Sequence, residues 1–306
     1  DSYGYNSFGE LTSYVATYSS APKYSLSLVR DDLGRISEKT EMIDGTTNTF
    51  DYTYDVSGRL TQVEKNSSVV STYTYDDNNN RTGGSVYGTS TSGVYDAQDR
   101  MTDYNVFDYT YNANGDLVSK TNTLTSQVWQ YSYDEFGNLL SVELPNTDLI
   151  EYEIDGLNRR IGRKLNTVVQ RRYLYVDQLR IIGEVDASGA LIRRYVYASK
   201  PNIPDYFIEG GDEYRIYSDY LGSPRLVVKV SDGTIMQKME HDEFGRVITD
   251  TNPGYTPFGF AGGLYDPSTG LVRFGARDYD PETGRWTGKD PILFNGGDSN
   301  LYGYVA

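Results

Sequence analysis

One short pattern recurs along this chain of 306 residues, and we interpret nine copies of it as repeat turns. An Asp or Asn is followed three residues later by Gly, Asn or Asp, usually directly after a tyrosine-rich run. A clear copy is Y-T-Y-D-V-S-G-R-L, from Tyr52 to Leu60. Because an internal repeat constrains the whole architecture, the chain is predicted to be an array of similar units.

Each copy of the repeat predicts a β-hairpin. Tyr52 and Tyr54 are two residues apart and therefore lie on one face of a strand. Asp55 followed by Gly58 is typical of a type I turn whose last residue is left-handed, and the Asp carboxylate can accept backbone N–H groups in that turn. The first turn positions are Asp31, Asp55, Asp76, Asp96, Asn112, Asp134, Asp155, Asp186 and Asp242. The last positions all tolerate positive φ, and they are Gly34, Gly58, Asn79, Asp99, Gly115, Gly137, Asn158, Gly189 and Gly245.

The spacing of the repeats predicts an all-β fold. From Asp31 to Asp155 the first turn positions are 24, 21, 20, 16, 22 and 21 residues apart, which suits two strands and two connections. A single hairpin cannot bury its own face, so successive hairpins must pair or stack. We therefore expect a continuous antiparallel sheet, which curls because strands twist and so encloses a volume or a core.

Composition excludes several functions. A net charge of −15 argues against binding to nucleic acid, and no apolar run approaches the roughly 20 residues of a membrane span. Cysteine is absent, and His241 is the single histidine, so thiolate catalysis and multi-histidine metal sites are excluded. Asp76, Asn78 and Asn80 have the spacing of calcium ligands, but Arg81 stands where the loop needs Gly. We interpret them as turn residues and expect neither metal nor cofactor.

The C-terminal third departs from the repeat. Two D-P-x-T-G turns, Asp266–Gly270 and Asp280–Gly284, lie fourteen residues apart. Asp278 and Asp290 are twelve residues apart across the second turn, and a hairpin there can bring them together. Paired carboxylates that share a proton can act as acid and base on a peptide-activating water. The alternative is that both aspartates cap turns or form ion pairs with Arg277 or Lys289.

These motifs together resemble the Rhs or YD-repeat family over nearly the whole chain from Leu28. Besides the repeats, Y-S-D-Y-L-G-S-P-R-L-V from Tyr217 and R-D-Y-D-P-E-T-G-R-W-T-G-K-D-P-I from Arg277 are similar to family elements. So is N-L-Y-G-Y-V-A, from Asn300 to Ala306. The resemblance implies a spiralling β-shell, or cocoon, around a C-terminal toxin. Its core-associated region curls inward as a plug and acts as an intramolecular aspartic autoprotease.

Carried over to this chain, the resemblance implies that Arg277, Asp278 and Asp290 are catalytic. It implies repeats over residues 1–200 and a core-associated domain over 201–306. In the sequence itself, Pro201–Pro204, followed by Gly210 and Gly211, is the best candidate for a linker between them. Expected partners are the chain's own toxin, the N-terminal remainder of the shell and a delivery-system subunit. The expected location is secreted or on the surface of a bacterial cell.

Two departures limit this interpretation. The sequence ends at Ala306, before the cleavage site of the family and any toxin, and it begins at Asp1 without a signal segment, which suggests a fragment or a mature chain. Some nine hairpins are also too few to close a shell. At most we expect a single-turnover autoprotease; the alternative is an adhesive, glycan-binding surface module without catalysis.

Four other residues have a structural interpretation. His241 replaces the tyrosine that usually precedes the turn aspartate, here Asp242. Trp129 lies in a strand and is expected to pack across it, whereas Trp286 follows the second D-P-x-T-G turn and could wall off a site. Ser223 reads as part of a tight turn, because no base is placed beside it.

Overall fold

The computed structural model describes residues 1–304. Val305 and Ala306, the end of the Asn300–Ala306 motif, lie outside the described residues. The chain forms two compact units. The first holds Asp1–Asp76 and Arg81–Ser92, and the second holds Asp77–Asn80 and Gly93–Ala306.

The first unit is an antiparallel sheet in which each strand pairs with the next along the chain. Its buried side chains include Tyr14, Tyr24, Leu26, Val63 and Tyr73. Its strands are β1 (Ser2–Tyr5), β2 (Leu11–Tyr18), β3 (Ala21–Arg30), β4 (Ile36–Ile43), β5 (Thr46–Tyr54), β6 (Leu60–Lys65), β7 (Ser68–Tyr75), β8 (Arg81–Val86) and the first part of β9 (Thr89–Tyr95).

The second unit continues the same pairing of each strand with its successor. It begins with the last residues of β9, which pair with β10. Its strands are β10 (Met101–Tyr104), β11 (Phe107–Tyr111), β12 (Leu117–Asn122), β13 (Val128–Tyr133), β14 (Leu139–Glu143), β15 (Leu149–Ile154), β16 (Arg160–Leu165), β17 (Val168–Tyr175), β18 (Ile181–Val185), β19 (Leu191–Val196), β20 (Tyr206–Glu209), β21 (Asp212–Ser218), β22 (Pro224–Lys229), β23 (Ile235–His241) and β24 (Val247–Asp250).

The repeat turns have left-handed last residues. The nine last positions have φ between 58° at Asp99 and 91° at Gly115. At Asp55 the carboxylate accepts the N–H groups of Ser57 and Arg59, and Gly58 N–H donates to the Asp55 carbonyl. The pairing register shifts by one residue beside the turn, which is the bulge that such a turn produces.

In several repeats, the arginine after the last turn residue contacts the next repeat. Arg59 donates from Nε to Asp55 at 2.7 Å, and its guanidinium lies 4.9 Å from the ring centroid of Tyr75 in the next repeat. The Tyr75 hydroxyl in turn donates to the carbonyl of Leu60 at 2.8 Å. The same stacking joins Arg35 to Tyr54 and Arg159 to Tyr175. In these three repeats, a cation–π contact and a hydrogen bond fix the tyrosine of the neighbouring repeat.

After β24 the chain leaves the large sheet and forms a smaller sheet with two short helices. We call residues 251–304 the C-terminal segment. It contains two short 3-10 helices, Phe260–Gly262 and Leu293–Gly296, and a four-stranded antiparallel sheet. The strands of this sheet are β25 (Leu264–Tyr265), β26 (Val272–Phe274), β27 (Arg277–Asp280) and β28 (Arg285–Trp286).

The C-terminal segment contributes to the core of the second unit. Leu271 packs in a cluster with Leu139, Val142 and Ile150 of the large sheet. Phe258 packs in another cluster around Phe207. Because these clusters combine residues from both parts, the segment covers apolar surface that the strands of the second unit would otherwise expose.

The all-β prediction is confirmed, since apart from two 3-10 helices the regular elements of residues 1–304 are strands. The division at residues 200 and 201 stays a prediction. Strand pairing crosses that point without a break, because β19 pairs with β20 over Arg193–Val196 and Tyr206–Glu209. Among the described residues, no helix is long and apolar enough to cross a bilayer.

Candidate functional site in the C-terminal segment

The two D-P-x-T-G turns shape the C-terminal segment. Gly270 and Gly284 have φ of 75° and 73°, and their N–H groups donate to the carbonyls of Asp266 and Asp280 at 2.8 Å. Proline after each aspartate restricts φ at the turn entry. The first turn joins β25 to β26 and the second joins β27 to β28, so the four strands pair in chain order.

Asp278 lies in a buried cluster of charges. It is the cross-strand partner of Arg273, whose Nη1 donates to its carboxylate at 2.8 Å. Nη2 of Arg160, from β16, donates to the other carboxylate oxygen, also at 2.8 Å. The three side chains are at most 3% exposed. Burial lowers the pKa of Arg273, and the charge of Asp278 opposes that shift.

Arg273 extends this cluster to two repeat turns. Its Nη2 donates to Oδ1 of Asn138 at 2.6 Å and to the carbonyl of Asn158 at 3.1 Å. Both asparagines belong to turns of the large sheet, and Asn138 also donates to Asp134 at 2.8 Å. The buried arginine thus joins the small sheet to the edge where the repeat turns lie.

Asp290 and Arg277 form a separate ion pair. Nη1 of Arg277 lies 3.1 Å from the Asp290 carboxylate, and about a quarter of each side chain is exposed. The guanidinium also lies 4.0 Å from the ring centroid of Trp286. Burial lowers the pKa of Arg277, and Asp290 counteracts this shift by its charge and its hydrogen bond.

The structure therefore places the three predicted catalytic residues in two groups. Arg277 and Asp290 are in contact, whereas Asp278 is bound by Arg160 and Arg273. Adjacent strand residues point to opposite faces, so Arg277 and Asp278 are directed apart. Asp290 forms the ion pair with Arg277 that was considered as the alternative to catalysis. The catalytic roles of all three residues stay predictions.

Several more contacts anchor the C-terminal segment to the strands of the second unit. Asp266 accepts from Arg163 Nε and from the Tyr152 hydroxyl, both at 2.8 Å. Although burial raises the pKa of Asp266, its hydrogen bonds with Arg163 bring the net value below the usual range. Further along, Nη1 of Arg285 donates to Asn80 at 2.7 Å.

An acidic cluster faces strand β12. Lys120 pairs with Glu282 at 2.8 Å, and its ammonium group lies 4.3 Å from the ring centroid of Phe107. Burial raises the pKa of the neighbouring Asp280, and the charge of Glu282 adds to that increase, while Lys120 opposes it. Asp280 is thus the carboxyl in this segment whose ionised form is disfavoured.

The other residues considered in the sequence analysis contact neighbouring side chains or the backbone. His241 is buried with Nδ1 3.1 Å from Nη1 of Arg225. The Ser223 hydroxyl accepts the N–H of Ala261 at 3.0 Å, and its own N–H donates to Asp219. Trp129 packs edge-on against Phe107. Within residues 1–304, no group of three acidic or histidine side chains is arranged to hold a metal ion.

Sequence reasoning missed the long-range members of the buried cluster around Asp278. Arg160 follows a repeat turn and looks like an ordinary strand residue, and Asn138 and Asn158 look like turn residues only. It also missed two further turns of the same type, which begin at Asn6 and Asp219 and end at Gly9 and Gly222. These two turns match the Asp/Asn-x-x-Gly pattern and could have been found by searching for it.

Fold and site together define a YD-repeat protein, in which hairpins with Asp-x-x-Gly turns are bound at their turns by a C-terminal segment. The chain belongs to the teneurin YD-shell family, whose sequence model matches residues 2–300. The predicted membership of the Rhs and YD-repeat proteins is thereby confirmed, and the chain is a shell-type module.

Similar proteins come from animals and bacteria. The chain is 31% identical to teneurin-3 of Danio rerio over 293 residues, 89% of this chain and 10% of that protein. It is 31% identical to the probable deoxyribonuclease RhsB of Dickeya dadantii over 218 residues, 67% of this chain and 15% of that protein. It spans about a tenth of the length of the teneurins that it matches.

Among solved structures, the TcdB2–TccC3–Cdc42 complex contains a chain that is 16% identical to this one. The TM-score is 0.43, and the superposition covers 99% of this chain and 21% of that chain.

Proposed function

We propose that this chain is part of the wall of a protein shell that carries a C-terminal toxin, and that the C-terminal segment is its internal plug. The observation that carries the proposal is the buried cluster of Arg160, Arg273 and Asp278. Removing one partner of a buried ion pair leaves an uncompensated charge, so such a cluster fixes the segment in one position. A plug that must hold a cargo in place requires this kind of attachment.

The tyrosine faces support a container over an adhesive surface. Of the 30 tyrosines, Tyr3, Tyr5 and Tyr220 are the exposed ones among residues 1–304. An adhesive module needs a contiguous outward aromatic patch. The test is to isolate the full-length gene product and treat it with a protease under native conditions. A protected C-terminal fragment supports the container; complete digestion of everything downstream of the repeats contradicts it.

We also propose that Arg277, Asp278 and Asp290 cleave the cargo from the shell in cis, with export to the bacterial cell surface or medium. The contact between Arg277 and Asp290, with the indole of Trp286 beside it, supports a reaction centre there. Aspartic acid–base chemistry needs two carboxyl groups that share a proton. Asp278 must therefore leave part of its arginine pairing when a substrate peptide enters.

The full-length gene product tests this step when it is expressed beside Asp278→Asn and Asp290→Asn. The wild type should run as two pieces on a denaturing gel and each variant as one. Asp266→Asn is the matched control, because Asp266 is also buried and paired with an arginine of the large sheet. If Asp266→Asn also abolishes the cut, the effect is due to folding; if both other variants still split, the autoprotease proposal is wrong.

A further inference from the structure

A cavity of about 460 Å³ lies in the second unit, within the usual size range of small-molecule pockets. The turn between β17 and β18 forms one side of it with Gln178 and Leu179. The C-terminal segment forms the other side, and Asn202 lies between them. The aromatic rings in its wall are Tyr175, Phe258, Phe274, Trp286 and Tyr304.

The charged side chains that line this cavity are all arginines: Arg159, Arg273 and Arg277. Each of these arginines pairs with an aspartate, but none of those aspartates lines the cavity. In the described part of the chain, no carboxylate lines it. The polar part of the wall is therefore rich in N–H donors. A guanidinium has five such donors, and Arg277 has one ion-pair partner among the described residues, Asp290.

Trp286 gives an independent indication of a ligand. It lines the cavity and is 6% exposed, yet its indole Nε1 has no hydrogen-bond partner among residues 1–304. Buried N–H donors almost always have an acceptor, and leaving one without a partner is costly. Nε1 itself is buried, so the indole must turn towards the cavity before an acceptor oxygen beside Arg277 can satisfy this donor.

We propose that the cavity binds a small amphipathic carboxylate. Its apolar body packs among the aromatic rings, and its carboxylate accepts hydrogen bonds from Trp286 and Arg277. Charge-assisted hydrogen bonds to arginine are the strong ones, so the carboxylate sets the specificity and the rings add affinity. The cavity shares Arg277 and Trp286 with the proposed cleavage centre, but the binding itself needs no cargo and no closed shell.

Trp286 itself can report binding, because the chain has two tryptophans and Trp129→Phe leaves one. In this background, titration with 3-phenylpropionate should change the Trp286 fluorescence in a saturable way. Neutral 3-phenylpropionamide, which has nearly the same shape, should bind at least about tenfold more weakly. Equal binding of the amide, or no saturable binding of the carboxylate, overturns the proposal.

Two variants then locate the site by calorimetry. Arg277→Met and Trp286→Phe should each weaken 3-phenylpropionate binding by about tenfold or more. Arg180→Met is the matched control, because Arg180 lies next to the turn at Leu179 but does not line the cavity. Trp286→Phe keeps an aromatic ring in place, so it decides the test if Arg277→Met fails to fold. An equal loss in Arg180→Met would show that the site lies elsewhere.

Discussion

The turns need glycine at positions 58 and 137 because of the backbone conformation there and not because neighbouring atoms are close. Their φ angles are 85° and 80°. A Cβ atom added at Gly58 would come no closer than 3.9 Å to another residue, and one at Gly137 no closer than 3.6 Å. Any cost of a side chain there must therefore arise from positive φ.

Gly58→Val and Gly137→Val should each destabilise the protein by about 1–3 kcal/mol, because a β-branched residue is forced into positive φ. Urea unfolding followed by circular dichroism measures the change. Gly156→Val is the matched control: Gly156 also lies in an open turn, but its φ is not positive. Unchanged stability in both variants would contradict the left-handed turn.

Asp280→Asn should stabilise the protein near neutral pH. Because burial raises the pKa of Asp280 above that of the unfolded chain, the ionised carboxylate costs stability once the pH exceeds the unfolded value. The asparagine has no such cost. Its Tm should therefore exceed that of the wild type at about pH 7, and the difference should shrink towards about pH 3.

Asp155→Asn should have the opposite effect and lower the stability of the protein near neutral pH. Although burial raises its pKa, the hydrogen bonds from Arg159 bring the net value below the usual one. Asp155 thus contributes stability above the unfolded pKa that is lost as the pH falls. The same melting curves measure both variants. If Asp280→Asn and Asp155→Asn change the Tm in the same direction at about pH 7, the directions assigned to the two pKa shifts are wrong.

At the scale of elements, β26 and β27 pair with each other through their backbones, whereas buried charges fix them to β16. Asp278 has two buried arginine partners on these elements, Arg160 and Arg273. Among residues 1–304, Asp290 has one arginine partner, Arg277, and that pair is partly exposed. The two aspartates look equivalent in the sequence, but the structure gives them different energetic roles.

Asp278→Asn should cost about 3–5 kcal/mol, because two buried guanidinium groups lose their counter-charge. Asp290→Asn should cost less than about 1 kcal/mol, since exposed ion pairs contribute little. Urea unfolding of both variants side by side measures the difference, and asparagine keeps the side-chain size. Equal losses would mean that Asp278 is not the centre of a buried cluster.

At the scale of the whole molecule, the C-terminal segment stabilises the second unit. Asp266, Asp278, Glu282 and Arg285 each bind a residue of that unit's strands or turns, and Leu271 completes one of its apolar clusters. Strands that lie beside these contacts should therefore depend on the segment for their protection from solvent.

A chain that ends at Asp250 should show faster amide hydrogen exchange in β14, β15 and β16 than the full chain, because their covering side chains are gone. Hydrogen-exchange mass spectrometry measures this strand by strand. Strands β3 to β6 of the first unit are the internal reference. Unchanged exchange in β14 to β16 would show that the segment adds nothing to their stability.

Local sequence alone was enough to predict the hairpins. Asp55 and Gly58 are three residues apart, and the conformation that they favour depends on backbone sterics and on hydrogen bonds within the turn. The strands could also be predicted from local sequence, because tyrosines at alternate positions favour a strand that pairs with its neighbour. The all-β fold and the order of pairing follow from these short-range preferences.

The long-range contacts of the buried cluster around Asp278 were decided by tertiary structure alone. Arg160 is 118 residues away along the chain, and Arg273 reaches Asn138 over 135 residues. No local pattern distinguishes Arg160 from the other arginines that follow repeat turns. A buried charge takes the counter-charge that the packed chain places beside it, and that choice depends on how the C-terminal segment lies on the sheet.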